Sequence, residues 1–278
     1  MRVRRRAVSL LEKLVRVDYA AIERAIVDHL RRYLEAAGAS CYVLGLSGGV
    51  DSSTVTALAA RAVGPERVIA LVMPDSTSTP RGDLEDAERI AKALGVKFAV
   101  SPIDDLLSAA ARSLPFFDPH DRAALGNVKA RLRMVMLYYA ANRLGGLVLG
   151  SSDRSEILLG YFTKYGDGAA DLLPIGDLYK TQVRRLARHL GIPESVAFKP
   201  SSPRLWPGQM AEAELGFTYE VADQVLYAVF DLGYSVEEAA KAVDAPLPLV
   251  KRIVERVKST EHKRRPPPVV DLHGLARP

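Results

Sequence analysis

The chain has 278 residues, 48% apolar and 26% charged, with a single cysteine. That length supports one large globular domain or two small ones with a substantial core, and it excludes a disulfide scaffold. No apolar run approaches the roughly 20 residues of a membrane span, and the lone Cys41 excludes internal disulfides and cysteine-based zinc sites. That cysteine usage fits a reducing cytoplasm. The basic opening is soon interrupted by Glu12, Lys13 and Arg16, which is unlike an export signal. The formal charge is +5, yet Arg2, Arg4, Arg5, Arg6, Lys263, Arg264 and Arg265 place seven of the 38 basic residues in two terminal runs. The other 31 face 33 acidic residues, a balance of −2, so a broad nucleic-acid surface is not expected, while a local anion-binding role for either end stays open. Two Asn and three Gln beside abundant Arg and Glu form a bias associated with heat-resistant proteins.

Helical spacing comes first: Ala21, Ile22, Ala25, Ile26, His29, Leu30 and Tyr33 form a stripe after Asp18, a plausible N-cap, and Gly38 ends it. Cys41 to Leu46 then reads as a short buried strand, followed by a Ser-Gly-Gly turn and a helix from Asp51 to Val63. Strands over 68–73 and 97–100 flank a helix over 84–94, giving βαβαβ. A long helix over 121–144, with Val128, Leu132, Val135, Met136 and Tyr139 as its apolar stripe, leads to a fourth strand over 146–150. Helices over 153–160, 178–190, 218–232, 235–243 and 247–259 follow, and Pro266 to Pro268 end the helical part.

The expected architecture is therefore α/β, a doubly wound parallel sheet with helices on both faces and a helical C-terminal part. In such sheets the ligand crevice lies beyond the strand carboxyl ends, where loops 47–53, 74–82 and 150–156 should meet. A single domain is expected over 1–278, with an N-terminal helical segment (1–40), a nucleotide-binding core (41–200) and a lid, helices and basic tail (201–278). Segments 74–82 and 199–216, rich in Pro, Ser and Gly, are expected to be mobile without ligand.

The strongest local signal is Gly45-Leu46-Ser47-Gly48-Gly49-Val50-Asp51-Ser52-Ser53, between a strand and a helix. Adjacent glycines allow close backbone approach, and amides and hydroxyls at a helix start offer donors to phosphate. No Lys follows the glycines, so this is not a Walker A loop. Asp51 would repel phosphate unless a cation such as magnesium lies between. A capped βα turn is the plainer alternative. The segment resembles the pyrophosphatase-loop ATP enzymes, whose signature is Ser-Gly-Gly-x-Asp-Ser.

A second segment, Gly150-Ser151-Ser152-Asp153-Arg154-Ser155-Glu156, offers either a capping arrangement for the next helix or a second magnesium carboxylate in Glu156. A third runs from Gly160 through Lys164 and Asp171 to Gln182. With Asp177 as cap, Lys180 would occupy a first helical turn, where the dipole disfavours a cation unless an anionic ligand lies nearby.

Together with Asn127 to Met134, Leu205 to Gln209, Glu214 to Gly216 and Glu261 to Pro268, these stretches look like NAD synthetase in the family's order. The resemblance implies that Gly45, Leu46, Ser47, Gly48, Gly49, Val50, Asp51 and Ser52 hold the ATP phosphates, with Ser151, Lys180 and Ser202 as further ATP contacts. It implies Asp51 and Glu156 as Mg2+ ligands, and Arg131, Lys164, Asp171, His262 and Lys263 as deamido-NAD contacts. It further implies adenylation of the nicotinate carboxylate by ATP and displacement of AMP by ammonia, with Lys180 neutralising charge and Asp171 helping to deprotonate ammonium. A cytoplasmic homodimer with substrate sites near its interface is expected from the family, and the 121–144 helix is the candidate interface.

Glutamine-using relatives carry an added amidase domain, whereas 44 residues precede Gly45 and Cys41 has no partner to activate it. Free ammonia is therefore the expected donor, and a separate glutaminase is a candidate partner. Three departures from the family pattern stand out: Ser151 for Thr, Asp153 for Asn or His, and Ala211 for an acidic residue. The first keeps a hydroxyl and the second adds a charge of unassigned role. His29, His120, His189 and His273 show no ligand spacing. The competing readings are a tRNA-modifying relative that adenylates a base and a non-catalytic nucleotide sensor.

Overall fold

The computed structural model describes residues 9–272. The terminal arginines Arg2 to Arg6 and His273 lie outside the described residues. The N-terminal helices are α1 (Leu10–Val15) and α2 (Tyr19–Ala36), followed by β1 (Tyr42–Gly45), α3 (Val50–Val63), β2 (Val68–Val72), α4 (Arg81–Leu94), β3 (Lys97–Val100) and α5 (Asp104–Ser113). The long α6 (Arg122–Leu144) leads into β4 (Leu147–Leu149), α7 (Arg154–Leu159), α8 (Lys180–His189) and α9 (Glu194–Ala197). The C-terminal part is α10 (Ala211–Leu215), α11 (Tyr219–Leu226), α12 (Val236–Val243), α13 (Leu247–Ser259) and α14 (Glu261–Arg264). A π-helical turn at Tyr227–Asp231 ends the α11 run, where an uninterrupted helix over 218–232 was expected.

The four strands are parallel in the order β3-β2-β1-β4. The chain winds outward from β1 to β3 and then crosses back to place β4 on the other side of β1, so a switch point lies between β1 and β4. Period-two alternation divides β1, β2 and β4 between two cores. Tyr42, Leu44, Val68 and Ala70 pack with α2, α3, α4 and α8, whereas Val43 and Val148 meet Ala141, Leu137 and Tyr138 of α6. A third core gathers α7, α10, α11, α12 and α13, and Leu10 and Leu14 of α1 join it. Gln182 fastens α1 there by donating to the Leu14 carbonyl at 2.9 Å.

Helix α6 is turned relative to the sequence reading. Its buried residues are Gly126, Lys129, Ala130 and Ala141, while Val135 and Tyr139 of the expected stripe are 56% and 71% exposed. Lys129 and Arg133 lie on the inward face and conceal it from a periodicity argument. Lys129 donates to the buried Asp75 at 3.0 Å, and Arg133 donates from Nε to the Met73 carbonyl at 2.9 Å.

Segment 74–82 is held through Asp75, which the Lys129 ammonium reaches. Asp75 also accepts from the backbone amides of Thr77 and Ser78 at 2.9 and 3.1 Å. Burial pushes its carboxyl up, but hydrogen bonds from Ser78, Thr77 and Lys129 outweigh burial and hold it at about 2. That native value lies below the unfolded one, so the contribution, on the order of 2 kcal/mol, is present above pH 4 and lost as pH falls from about 4 to about 2. Thermal midpoints followed over that window should drop in the native chain, and Asp75→Asn should be less stable at neutral pH while losing the part of the acid slope that Asp75 supplies.

Candidate active site

A cavity of about 270 Å3 opens at the switch point, walled by the loop after β1, the loop after β4 and the 199–205 segment. Helix α3 begins at Gly49, a cap with no side chain to occupy the first amides. The loop hydroxyls satisfy one another: Ser47 N–H donates to Ser52 Oγ at 3.2 Å, and the two hydroxyls lie 3.1 Å apart. An uncapped helix start of 14 residues beside exchangeable hydroxyl bonds is an anion site in waiting. Leu46, Ser47, Val50, Ser151 and Ser202 line the same cavity, as do Asp51 and Glu156.

Lys180 brings the two predicted metal carboxylates together. Its ammonium lies 2.6 Å from Asp51 Oδ2, 2.9 Å from Glu156 Oε1 and 2.9 Å from Asp153 Oδ2. It also sits over the Tyr219 ring, 5.3 Å from the centroid. Burial pushes this ammonium down, but Asp153, Asp51 and Glu156 more than reverse that and hold it well above its ordinary value. The same burial pushes Asp153 up to about 6 and Glu156 well above its usual range, against the pull of Lys180.

Lys180 does lie in a first helical turn, as expected, but the expected cap needs correcting. Asp177 does not cap its helix; Tyr179 is the N-cap, Lys180 is the first helical residue, and Asp177 pairs with Arg154 at 2.7 Å. The first amides of α8 are satisfied by the chain itself, Lys180 N–H donating to Ser155 Oγ at 2.9 Å and Thr181 N–H to Asp223 at 2.8 Å. Three of the chain's own carboxylates balance the cation. Of the two readings of 153–156 the capping one is seen: Asp153 and Glu156 form a capping box on α7, and Glu156 turns its other oxygen to Lys180.

Segment 199–216 closes one side of the cavity and is held by charge. Lys199 donates to the Gly48 carbonyl at 3.1 Å and to Asp83 at 3.0 Å, and pairs with Asp86. Arg204 reaches Asp83 at 2.8 Å, while Ser78 donates to the Arg204 carbonyl at 2.7 Å, tying the two loops expected to be mobile to each other. Ser202 donates to the Gln209 carbonyl at 2.5 Å. Ala211 is buried in the cavity wall, so its small side chain leaves room where an acidic one was expected. Sequence reasoning missed the anchoring pairs; Asp75 followed by Ser-Thr-Ser was the available signal, since Asp in that setting builds a local turn.

Four of the five predicted deamido-NAD residues gather elsewhere, around the 160–168 loop. Arg131 donates to the Lys164 carbonyl at 3.3 Å, Lys164 to the His262 carbonyl at 2.7 Å, and Lys263 to the carbonyls of Gly160 and Phe162 at 2.7 and 2.6 Å. Burial pushes the Lys263 ammonium down. Asp171 stands apart at the edge of β4, accepting from Val148 N–H at 2.7 Å and from Tyr138 at 3.4 Å. None of these five lines the cavity.

A phosphate-ready glycine loop at the switch point of a parallel sheet, faced by carboxylates from a second loop, defines a nucleotide-binding α/β enzyme. Within that class the chain belongs to the NAD synthase family, whose model matches residues 22–267. The NH(3)-dependent NAD(+) synthetase of Hyperthermus butylicus is 54% identical over 261 residues, covering 94% of each chain. Among solved structures, the NH3-dependent NAD synthetase of Campylobacter jejuni superposes with a TM-score of 0.77 at 30% identity, over 92% of this chain and all of that one. The NMN synthetase of Francisella tularensis gives 0.80 at 31% identity, over 92% of this chain and 99% of that one.

Proposed function

We propose that this chain amidates deamido-NAD to NAD with ammonia and ATP. The observation that carries the reading is the meeting, in one cavity, of an uncapped helix start with the paired carboxylates Asp51 and Glu156. Catalysis rests on positioning and charge neutralisation, with no protein nucleophile. The amides and hydroxyls from Ser47 to Ser52 bind and orient the triphosphate; Ser151 and Ser202 close on it from the facing loops. The nicotinate carboxylate attacks the α-phosphorus and pyrophosphate leaves; ammonia then attacks the activated carbonyl carbon and AMP leaves. The 74–82 and 199–216 segments, anchored to each other over the cavity, shield the adenylate from water.

The donor set fits magnesium. Asp51 Oδ1 is buried and accepts no hydrogen bond, and no cluster of three metal-ligating side chains is preassembled among the described residues. Magnesium characteristically takes one or two carboxylates and completes its shell with substrate phosphates and water. Asp51 and Glu156 would hold it, and when bound it would neutralise phosphate charge. Lys180, enclosed behind those two residues, is uncovered toward ATP in its present place once they turn outward. Arg131, Lys164, His262 and Lys263 are proposed to hold deamido-NAD around the 160–168 loop, and Asp171 to contact it and take a proton from ammonium at the β4 edge. The exposed Val135 and Tyr139 of α6 are proposed to face a second copy in a homodimer, within a cytoplasmic protein. No described helix is long and apolar enough to cross a membrane.

The test is purified protein with ATP, magnesium and deamido-NAD, supplied with ammonia or with ammonium-free glutamine, with NAD, AMP and pyrophosphate quantified. Equal amounts of the three products with ammonia are expected, and none with glutamine unless a separate glutaminase is added. Nicotinate mononucleotide, tried in parallel, should be the poorer acceptor. Preference for it, or pyrophosphate without NAD, would overturn the substrate assignment.

A further inference from the structure

We infer that Asp153 is the positioning residue that keeps Lys180 in place when Asp51 and Glu156 turn to a divalent cation, and thereby sets how readily this chain binds that cation. The inference rests on the two-carboxylate metal reading above. The three acids around Lys180 are not equivalent. Asp51 and Glu156 are 20% and 19% exposed at their side chains and line the cavity, whereas Asp153, like Lys180, is fully enclosed. Asp153 is fixed by its own helix cap: Oδ1 accepts Glu156 N–H at 2.8 Å, while buried Oδ2 lies 2.9 Å from the ammonium as an ion pair and accepts no hydrogen bond. Lys180 is fixed at its backbone by Ser155, so its ammonium stays beside Asp153 when the outer carboxylates leave.

Charge decides what this achieves. Ionised, as metal binding requires, three carboxylates and one ammonium sum to −2, the complement of a divalent cation. Without the Asp153 charge the sum is −1, and the only carboxylates left for the enclosed ammonium are the two the metal needs, beside the Tyr219 ring. Lysine and metal would then compete, because an enclosed ammonium stripped of every partner costs several kcal/mol. With Asp153 present, Asp51 and Glu156 are released while Lys180 remains paired and charged.

The experiment uses Asp153→Asn, since Asn retains the helix cap. Binding of Mn2+ alone is followed by the paramagnetic resonance of the free ion, the Mg2+ dependence of NAD formation is measured, and folding is checked by circular dichroism. The Mn2+ dissociation constant and the Mg2+ concentration for half-maximal turnover should each rise about tenfold, with kcat largely restored at saturating Mg2+. Asp153→Ser, which also caps, should do the same. Unchanged Mn2+ affinity in a folded variant, or a loss of turnover that no Mg2+ concentration restores, would overturn the inference. Failure of both variants to fold would do so too, by making the residue structural. Glu156→Gln is the reference: if it leaves Mn2+ binding intact, the metal reading itself falls, and if it weakens binding while Asp153→Asn does not, only the role of Asp153 falls.

Discussion

Lys180→Met is expected to cut NAD formation by about 10²–10³-fold and, unlike a purely ligand-binding lysine, to lower the thermal midpoint as well. The ammonium is wholly buried and in contact with Asp51, Asp153 and Glu156. Methionine keeps the length and apolar stem but leaves those carboxylates facing one another. Removing one partner of a buried ion pair costs about 3–5 kcal/mol, and here one cation serves three acids. Burial already pushes Asp153 up to about 6 and Glu156 well above its usual range, so without Lys180 both respond by holding protons. An acid whose native value exceeds its unfolded one loses stability as pH rises through that interval. The deficit of Lys180→Met should therefore be smaller at pH 5 than at pH 8 when thermal midpoints are compared. A variant as stable as the native chain at pH 8 would show that the carboxylates find another partner.

What the sequence made legible follows from where the physics is local. The strands are short apolar runs between glycine turns, and their expected limits lie within a residue or two of β1 to β4. The glycine loop declared itself because its chemistry sits in nine consecutive residues. Five helices were missed: α9, α10 and α14 are only four or five residues long, while α5 has no buried residue to set a period and α1 buries its leucines in a core made by helices about 200 residues away. Helix α6 was turned the wrong way because its inward face carries Lys129 and Arg133, whose partners in and beside the 74–82 loop no window of α6 contains.

The same limit governs the site. Asp51 and Glu156 could be matched to a family pattern one by one, but their common attachment to Lys180 is a three-dimensional fact. Asp153 looked like an unassigned extra charge for that reason. The lid segments read as loose from composition, because proline, serine and glycine are visible in sequence whereas Lys199 to Asp83 and Arg204 to Asp83 span well over a hundred residues. Charge pairing across loops, more than local propensity, orders this half of the cavity.

Gly48→Ala should be as damaging as the loss of Lys180, while Gly49→Ala, one residue on, should fold normally. Gly48 has a φ of +76°, and a Cβ built there would lie 2.2 Å from the Asp83 carbonyl oxygen and 3.1 Å from the Ala87 amide. The left-handed backbone costs an alanine about 1–2 kcal/mol by itself. The overlap with α4 is worse, because both contacts are backbone and neither can swing aside. Either α4 moves off the loop or the loop leaves its phosphate-ready shape, and each displaces the Gly48 carbonyl from Lys199. Gly49 has a φ of −88°, and its added Cβ meets only Ser47 Oγ at 3.4 Å, an ordinary contact. Calorimetry of the two variants should show a midpoint several degrees lower for Gly48→Ala and nearly unchanged for Gly49→Ala. ATP-dependent pyrophosphate release should vanish in Gly48→Ala. In Gly49→Ala any loss should fall mainly on KM for ATP, because the methyl group stands at the uncapped start of α3 where the phosphates are proposed to bind. Equal stability of the two variants would mean that the close packing of α4 on the glycine loop is not what shapes this site.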